Sequence, residues 1–308
     1  MARSILARAL GRGRNIDPAA QQAAWRIEAV LLRLFWGVSW ALPIAAGSAL
    51  GARILGFIGP RLRKSLQVRR NLAVMIGESD PLRIKDLERA IWRNFGSVMA
   101  EYPHMRKIIA ERMSVEISPE AQKAIDSGSP CIFCAAHLGN WETCAAWFAS
   151  KGFALQVVYS PQANPYTDRM LQNARRSYGC GFVTKQDGLR ELMQAISAGS
   201  SIGLVMDQRV DNGEMIPFFG RPAATTTVPA RLSLKLGIPI MLVETRRLPG
   251  AKFVLRAHPP LSPRDPGASA AEQARDLTAQ INAGFESWIR QDIGQWHCLK
   301  RRWPKVRA

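Results

Sequence analysis

The stretch Cys131-Ile132-Phe133-Cys134-Ala135-Ala136-His137-Leu138-Gly139-Asn140-Trp141-Glu142 decides how this chain is read. Residues 131–136 are short and apolar and follow Gly128-Ser129-Pro130, the pattern of a strand buried on both faces of a largely parallel sheet. The strand ends at His137. Gly139 and Asn140 allow a sharp turn, and Trp141 to Ser150 has the composition of a helix, with Asn140 as its N-cap. A histidine on a strand-to-helix turn is well placed for chemistry, because its unperturbed pKa lies near neutrality.

Glu142 follows His137 by five positions. On one continuous helix, that spacing would turn the two side chains roughly 140° apart. A turn between them removes the objection, and Glu142 can then accept a proton from one imidazole nitrogen while the other faces a hydroxyl. The helix N-terminus adds donors for an anionic group. The plainer alternative is a structural His beside a surface Glu.

Outward from this stretch, strands are expected at Ala154 to Tyr159, Ser201 to Met206, Ile238 to Glu244 and Phe253 to His258. Helices are expected at Asn164 to Tyr178, Gly188 to Ala198, Pro229 to Leu236 and Ala270 to Asp292, and Arg61 to Tyr102 reads as Arg-rich helices ended by Pro103. Such alternation gives an α/β fold, a mostly parallel central sheet flanked by helices. Pro259 to Pro266 reads as a surface connection. Ligands of such sheets collect beyond the carboxyl ends of the strands. Asp207, after the strand ending at Met206, is therefore a second candidate, with a turn carboxylate paired to Arg209 as the alternative. A third is the pair Arg175-Arg176, of which helical geometry lets only one face a site and hold a phosphate or an oxyanion.

The 308 residues carry a formal net charge of +18, which calls for an anionic partner. The chain shows no RNP-like, zinc-finger or Gly-rich phosphate-loop pattern, so nucleic acid is not expected. Basic residues gather instead near the amino-terminal apolar segment, in Arg61 to Arg70, and in Lys300 to Arg307 beside Trp303, which favours an anionic bilayer surface. Leu34 to Ala52 lacks charge and would reach about 28 Å as one helix. Pro43 and three glycines weaken it as a straight span, so spanning, re-entrant, interfacial and buried readings stay open. The five cysteines, Cys131, Cys134, Cys144, Cys180 and Cys298, show no disulfide spacing, and Cys131 and Cys134 would point to opposite faces of a strand. No metal site is expected.

The ordered series His137-Leu138-Gly139-Asn140-Trp141-Glu142, Asn164-Pro165 to Gly179, Asp207-Gln208, Pro217-Phe218-Phe219-Gly220 with the following Thr run, and Gln295-Trp296 leading to Arg301-Arg302-Trp303 resembles the bacterial lipid A late acyltransferase family, lauroyl/myristoyl type. The resemblance implies acyl transfer from acyl carrier protein, a co-substrate with no other cofactor, to a hydroxyl on a primary acyl chain of an anionic, Kdo-bearing lipid A precursor. It implies the inner membrane, with the active site facing the cytoplasm. It makes His137 the general base and Glu142 the group that orients it. Asn140, Arg175, Asp207 and Arg209 become candidates for holding the acceptor or the oxyanion, Arg175 fitting the family's basic position better than Arg176. Arg301, Arg302 and Trp303 become membrane or acceptor contacts. Residues 1–60 form a basic amino terminus and hydrophobic membrane-anchoring helix, and 61–308 the acyltransferase domain. Cys298 and Lys300 depart from the family pattern, which carries Trp and His there. Acylation of a phosphoinositide mannoside or an ornithine lipid, hydrolysis of the thioester, and non-catalytic lipid binding are the competing readings.

Overall fold

A computed structural model describes residues 17–77, 80–184 and 188–304. The basic stretch 1–16, together with Lys305 and Arg307 of the tail, lies outside the described residues. The first described helix is α1 (Pro18–Ala41), capped by the Asp17 side chain and opened by a proline at its first turn. It stops at Leu42-Pro43, because proline offers no N–H and biases the residue before it away from helix. The next helix, α2 (Ile44–Ile58), takes the rest of the charge-free stretch. The expected single segment Leu34 to Ala52 is thus divided between two helices, and no helix among the described residues is long and apolar enough to cross a membrane.

Helices α3 (Ser65–Ile76) and α4 (Pro81–Glu101) follow. Helix α2 lies directly on α4, so close at Gly51 that a Cβ there would come within 2.3 Å of the Gly96 carbonyl. The division drawn at residue 60 therefore cuts through one packed helical unit. A 3-10 turn (Tyr102–His104) and α5 (Met105–Glu111) lead into β1 (Met113–Ile117) and α6 (Pro119–Asp126).

The rest alternates: β2 (Ile132–Ala135), α7 (Glu142–Ser150), β3 (Leu155–Tyr159), α8 (Pro165–Ser177), β4 (Gly181–Thr184), α9 (Gly188–Ser197), β5 (Ser201–Val205), β6 (Glu214–Phe218), β7 (Arg221–Thr225), α10 (Val228–Leu236), β8 (Ile240–Leu248), β9 (Lys252–Pro260) and α11 (Ala270–Gln291). One seven-stranded sheet runs β1-β9-β8-β2-β5-β3-β4, parallel throughout except between β8 and β9. The fold is the expected α/β layering. Residues 214–225 form a separate β6/β7 hairpin, turned by Phe219 and Gly220 at φ 52° and 69°.

Strand β2 is central and wholly buried. Ile132 and Cys134 enter the core on one face with Ile202 and Leu242, while Cys131 and Phe133 enter the core on the other with Met241 and Val243. The two cysteines do point apart, all five are free and buried, and burial pushes the Cys131 thiol up to about 11.

Candidate active site

Register sets the site. Strands β2 and β5 are parallel neighbours with Ala135 opposite Val205, so His137 and Asp207 each stand two residues past a matched pair, at the same edge of the sheet. The His137 Nδ1 lies 2.6 Å from Asp207 Oδ1. The other carboxylate oxygen accepts from Trp296 Nε1 at 2.7 Å. Asp207 is buried, while His137 keeps about a fifth of its side chain exposed, at 18%. Burial alone would raise the Asp207 carboxyl, but the facing imidazole and the hydrogen bonds from His137 and Trp296 outweigh it and hold the group below its ordinary value. The Gln208 amide nitrogen lies 3.4 Å from Nδ1 and 3.3 Å from Nε2.

The turn that carries His137 is fastened from behind. Gly139 sits at φ 57°, and a Cβ there would lie 2.6 Å from the Thr245 carbonyl, so only glycine fits. Residues 137–139 pair with the segment 295–297: Gly139 N–H donates to Gln295 O at 3.1 Å and His297 N–H to His137 O at 2.8 Å. Asn94 on α4 donates to the carbonyls of Gly139 and Gln295, at 2.9 and 3.0 Å. Arg247 binds Asn94 and Glu101, and Ser48 and Asn140 both donate to Glu101. This buried network ties α2, α4, β8 and the turn that carries His137 together.

Glu142 has other partners than the one expected. It opens α7, where the Asn140 side chain accepts its N–H at 3.2 Å, close to the expected cap. Its carboxylate faces Arg175 from the last turn of α8, with Nε to Oε2 at 2.8 Å, and also accepts from Trp141 Nε1 at 3.0 Å. Burial would raise this carboxyl, yet the Arg175 charge and the hydrogen bonds of Arg175, Tyr102 and Trp141 hold it below its ordinary value. Arg175 turns inward and Arg176 is exposed, as helical spacing requires of adjacent residues. Trp141 links the two clusters, its ring edge-on to His137 at 5.0 Å. The expected His137–Glu142 pair is therefore replaced by His137–Asp207 and Glu142–Arg175.

Further candidates take structural places. Asn140 is fully buried with its amide on Glu101, and Arg209 pairs with Asp211 rather than Asp207. Arg302 and Trp303 are buried, not membrane-facing: Arg302 donates to Ala224 O at 2.9 Å and Thr225 Oγ1 at 2.7 Å and stacks over Phe218, and Trp303 donates to Phe218 O at 3.0 Å. Arg301 is half-buried. Phe218, Phe219 and Trp303 form an aromatic wall behind Trp296, which explains the spacing of the motifs that contain them.

The model of the family described as bacterial lipid A biosynthesis acyltransferase matches residues 23–305. The chain belongs to this family. The match runs from within α1 to the tail, the helices before residue 60 included, and makes this protein an acyltransferase. Comparison with the curated proteins gives no match. Among solved structures it is similar to the 1-acyl-sn-glycerophosphate acyltransferase of Thermotoga maritima, with 15% identity, a TM-score of 0.36, and 91% of this chain and 100% of that one covered.

The sequence reading passed over Trp296, Gln208 and His297 as site residues. His297 packs at a tilt against Phe95, with ring centroids 4.4 Å apart, and lies 5.0 Å from Trp141 and 5.9 Å from His137, with its Nδ1 buried and without a hydrogen-bond partner. Trp296 and Gln208 each stood in a quoted motif, but their contacts cross the fold.

Proposed function

We propose that this acyltransferase is a secondary (late) enzyme of lipid A biosynthesis, moving a fatty acyl group from acyl carrier protein to a hydroxyl on a primary acyl chain of a Kdo-bearing lipid A precursor. The observation that carries the reading is the His137–Asp207–Trp296 relay at the ends of two adjacent strands. With Nδ1–H donated to Asp207, Nε2 holds a lone pair and takes the acceptor hydroxyl's proton as its oxygen attacks the thioester carbonyl. Asp207 stays ionised and stabilises the imidazolium. Collapse of the tetrahedral oxyanion breaks the C–S bond, and the leaving thiolate receives the proton back from Nε2. Gln208, whose amide nitrogen is 3.3 Å from Nε2, supplies a donor for the oxyanion. Glu142 and Arg175 act through Trp141, which they hold against the imidazole. The acyl carrier protein is the co-substrate, and no metal or other cofactor takes part in these steps.

The same reading puts the enzyme on the cytoplasmic face of the inner membrane. Ile27, Leu31, Leu34 and Val38 form one stripe along α1 and are 54, 55, 61 and 53% exposed, an apolar face turned outward. With the chain's +18 charge, this supports an interfacial anchor on an anionic bilayer. Mass spectrometry of lipid A from cells with and without the gene, complemented by wild type or His137→Ala, tests the proposal. Loss of one secondary acyl chain restored only by wild type is the expected result. Unchanged lipid A would overturn it and move the acceptor to another membrane lipid.

A further inference from the structure

A cleft of about 520 Å³, to which neither His137 nor Asp207 contributes, opens between the α1/α2 elbow, the start of α5 and the end of α8. Its inner wall includes Tyr102 and Tyr178, the tyrosines that reach Arg175 and Glu142 at 3.4 and 3.5 Å. Arg106, Lys107 and Arg112 also line it, against the single carboxylate of Glu111. Arg106 is fixed there by Nε and Nη2 bonds to the Ser177 carbonyl. Arg112 donates Nη1 to Gly250 O at 2.7 Å, while its Nε is buried with no hydrogen-bond partner. Three cations against one carboxylate leave this wall with a net positive charge that a bound oxyanion matches.

The remaining wall is apolar. Trp40, Leu42 and Pro43 line it where α1 ends, and Trp40 is 70% exposed at the end of the helix that carries the outward apolar stripe. Cationic and apolar walls meeting beside a bilayer-seeking helix suit an anionic head joined to an acyl chain, with the aromatic ring at the interface. We propose that this cleft is a second lipid site that binds the phosphate monoester of a membrane lipid, apart from the reacting atoms. The assignment rests on the membrane-lipid reading above, but binding rather than transfer tests it.

The full chain is titrated with phosphatidylcholine vesicles carrying phosphatidic acid, or phosphatidylglycerol at matched surface charge. Lys107→Ala/Arg112→Gln is expected to weaken binding to phosphatidic acid vesicles about tenfold and to change binding to phosphatidylglycerol vesicles less than about twofold. Equal losses on both vesicles, or no loss on either, would overturn the site. Should the double variant fail to fold, Lys107→Ala alone, an exposed side chain, must show the same selectivity in a smaller loss. Calorimetry with inorganic phosphate separates the sources of the anion, since tighter binding of free phosphate than of vesicles would make this a soluble-anion site and overturn the lipid assignment. His137→Ala is expected to keep phosphatidic acid binding even with transfer abolished; loss of binding there would deny that the cleft is separate from the catalytic centre.

Discussion

Asp207→Asn keeps the shape of the relay and removes the charge that steadies the imidazolium. We expect kcat to fall about 10²- to 10⁴-fold, with KM and thermal stability little changed. Glu142→Gln should act mainly on stability, with a smaller loss of kcat through Trp141: breaking a buried ion pair from one side costs about 3–5 kcal/mol, read as a lower denaturant midpoint. If Glu142→Gln lost activity at full stability while Asp207→Asn remained active, the two carboxylates would have to exchange roles. The sequence makes His137 legible because a lone His ends a buried strand, but it offers the nearer acid, Glu142, as partner. The true partner lies 70 residues away, and only strand register brings it level. His297 yields a pH prediction. Burial first, then the charge of His137, push its imidazole down to about 3 from an ordinary 6.5. Between those values the unfolded chain binds the extra proton, so stability falls as pH drops below about 6.5, by up to about 1.4 kcal/mol per unit. Denaturation midpoints from pH 7.5 to 5 should fall less steeply for His297→Phe, and parallel curves would remove His297 as the cause.

At the scale of elements, the alternating strands and helices after residue 130 were legible because buried parallel strands are short apolar runs between clear helix signals. Strand β1 was not, since its residues alternate between half-buried and exposed and it sits at the sheet edge. The β6/β7 hairpin was hidden by Pro217 and Pro222, which read as loop yet are tolerated in a two-stranded edge ribbon. The α2/α4 contact was also invisible, because glycines that let two helices touch look the same in sequence as glycines that break one. A Cβ at Gly96 would come within 2.1 Å of the Gly51 carbonyl. Gly96→Ala is therefore expected to destabilise the fold by about 1–3 kcal/mol. Because α4 also carries Asn94 and Glu101, it should lower activity as well, and a urea midpoint equal to wild type would show that the helices separate freely.

Across the whole molecule, charge and hydropathy pointed to a membrane surface, but the attribution to the tail failed for Arg302 and Trp303. Both close the core against the hairpin, and burial pushes the Arg302 guanidinium down to about 10. The tail's Arg-Arg-Trp looks in sequence like a bilayer anchor because composition does not reveal which charges are enclosed. Arg302→Met should accordingly lower stability, by about 1–3 kcal/mol for the acceptors left behind, and leave vesicle partitioning unchanged. Leu31→Glu/Leu34→Glu should weaken partitioning with little change in melting, and the remaining binding should depend more strongly on salt. Equal partitioning of that variant and wild type would remove α1 as the anchor. The matched register of β2 and β5 also bears on what a misfolded chain could do. A slip of one residue turns Asp207 to the opposite face of the sheet and leaves the histidine without the carboxylate that fixes its tautomer. On the proposed mechanism a misregistered chain is then inert, because its histidine is not held ready to activate water either.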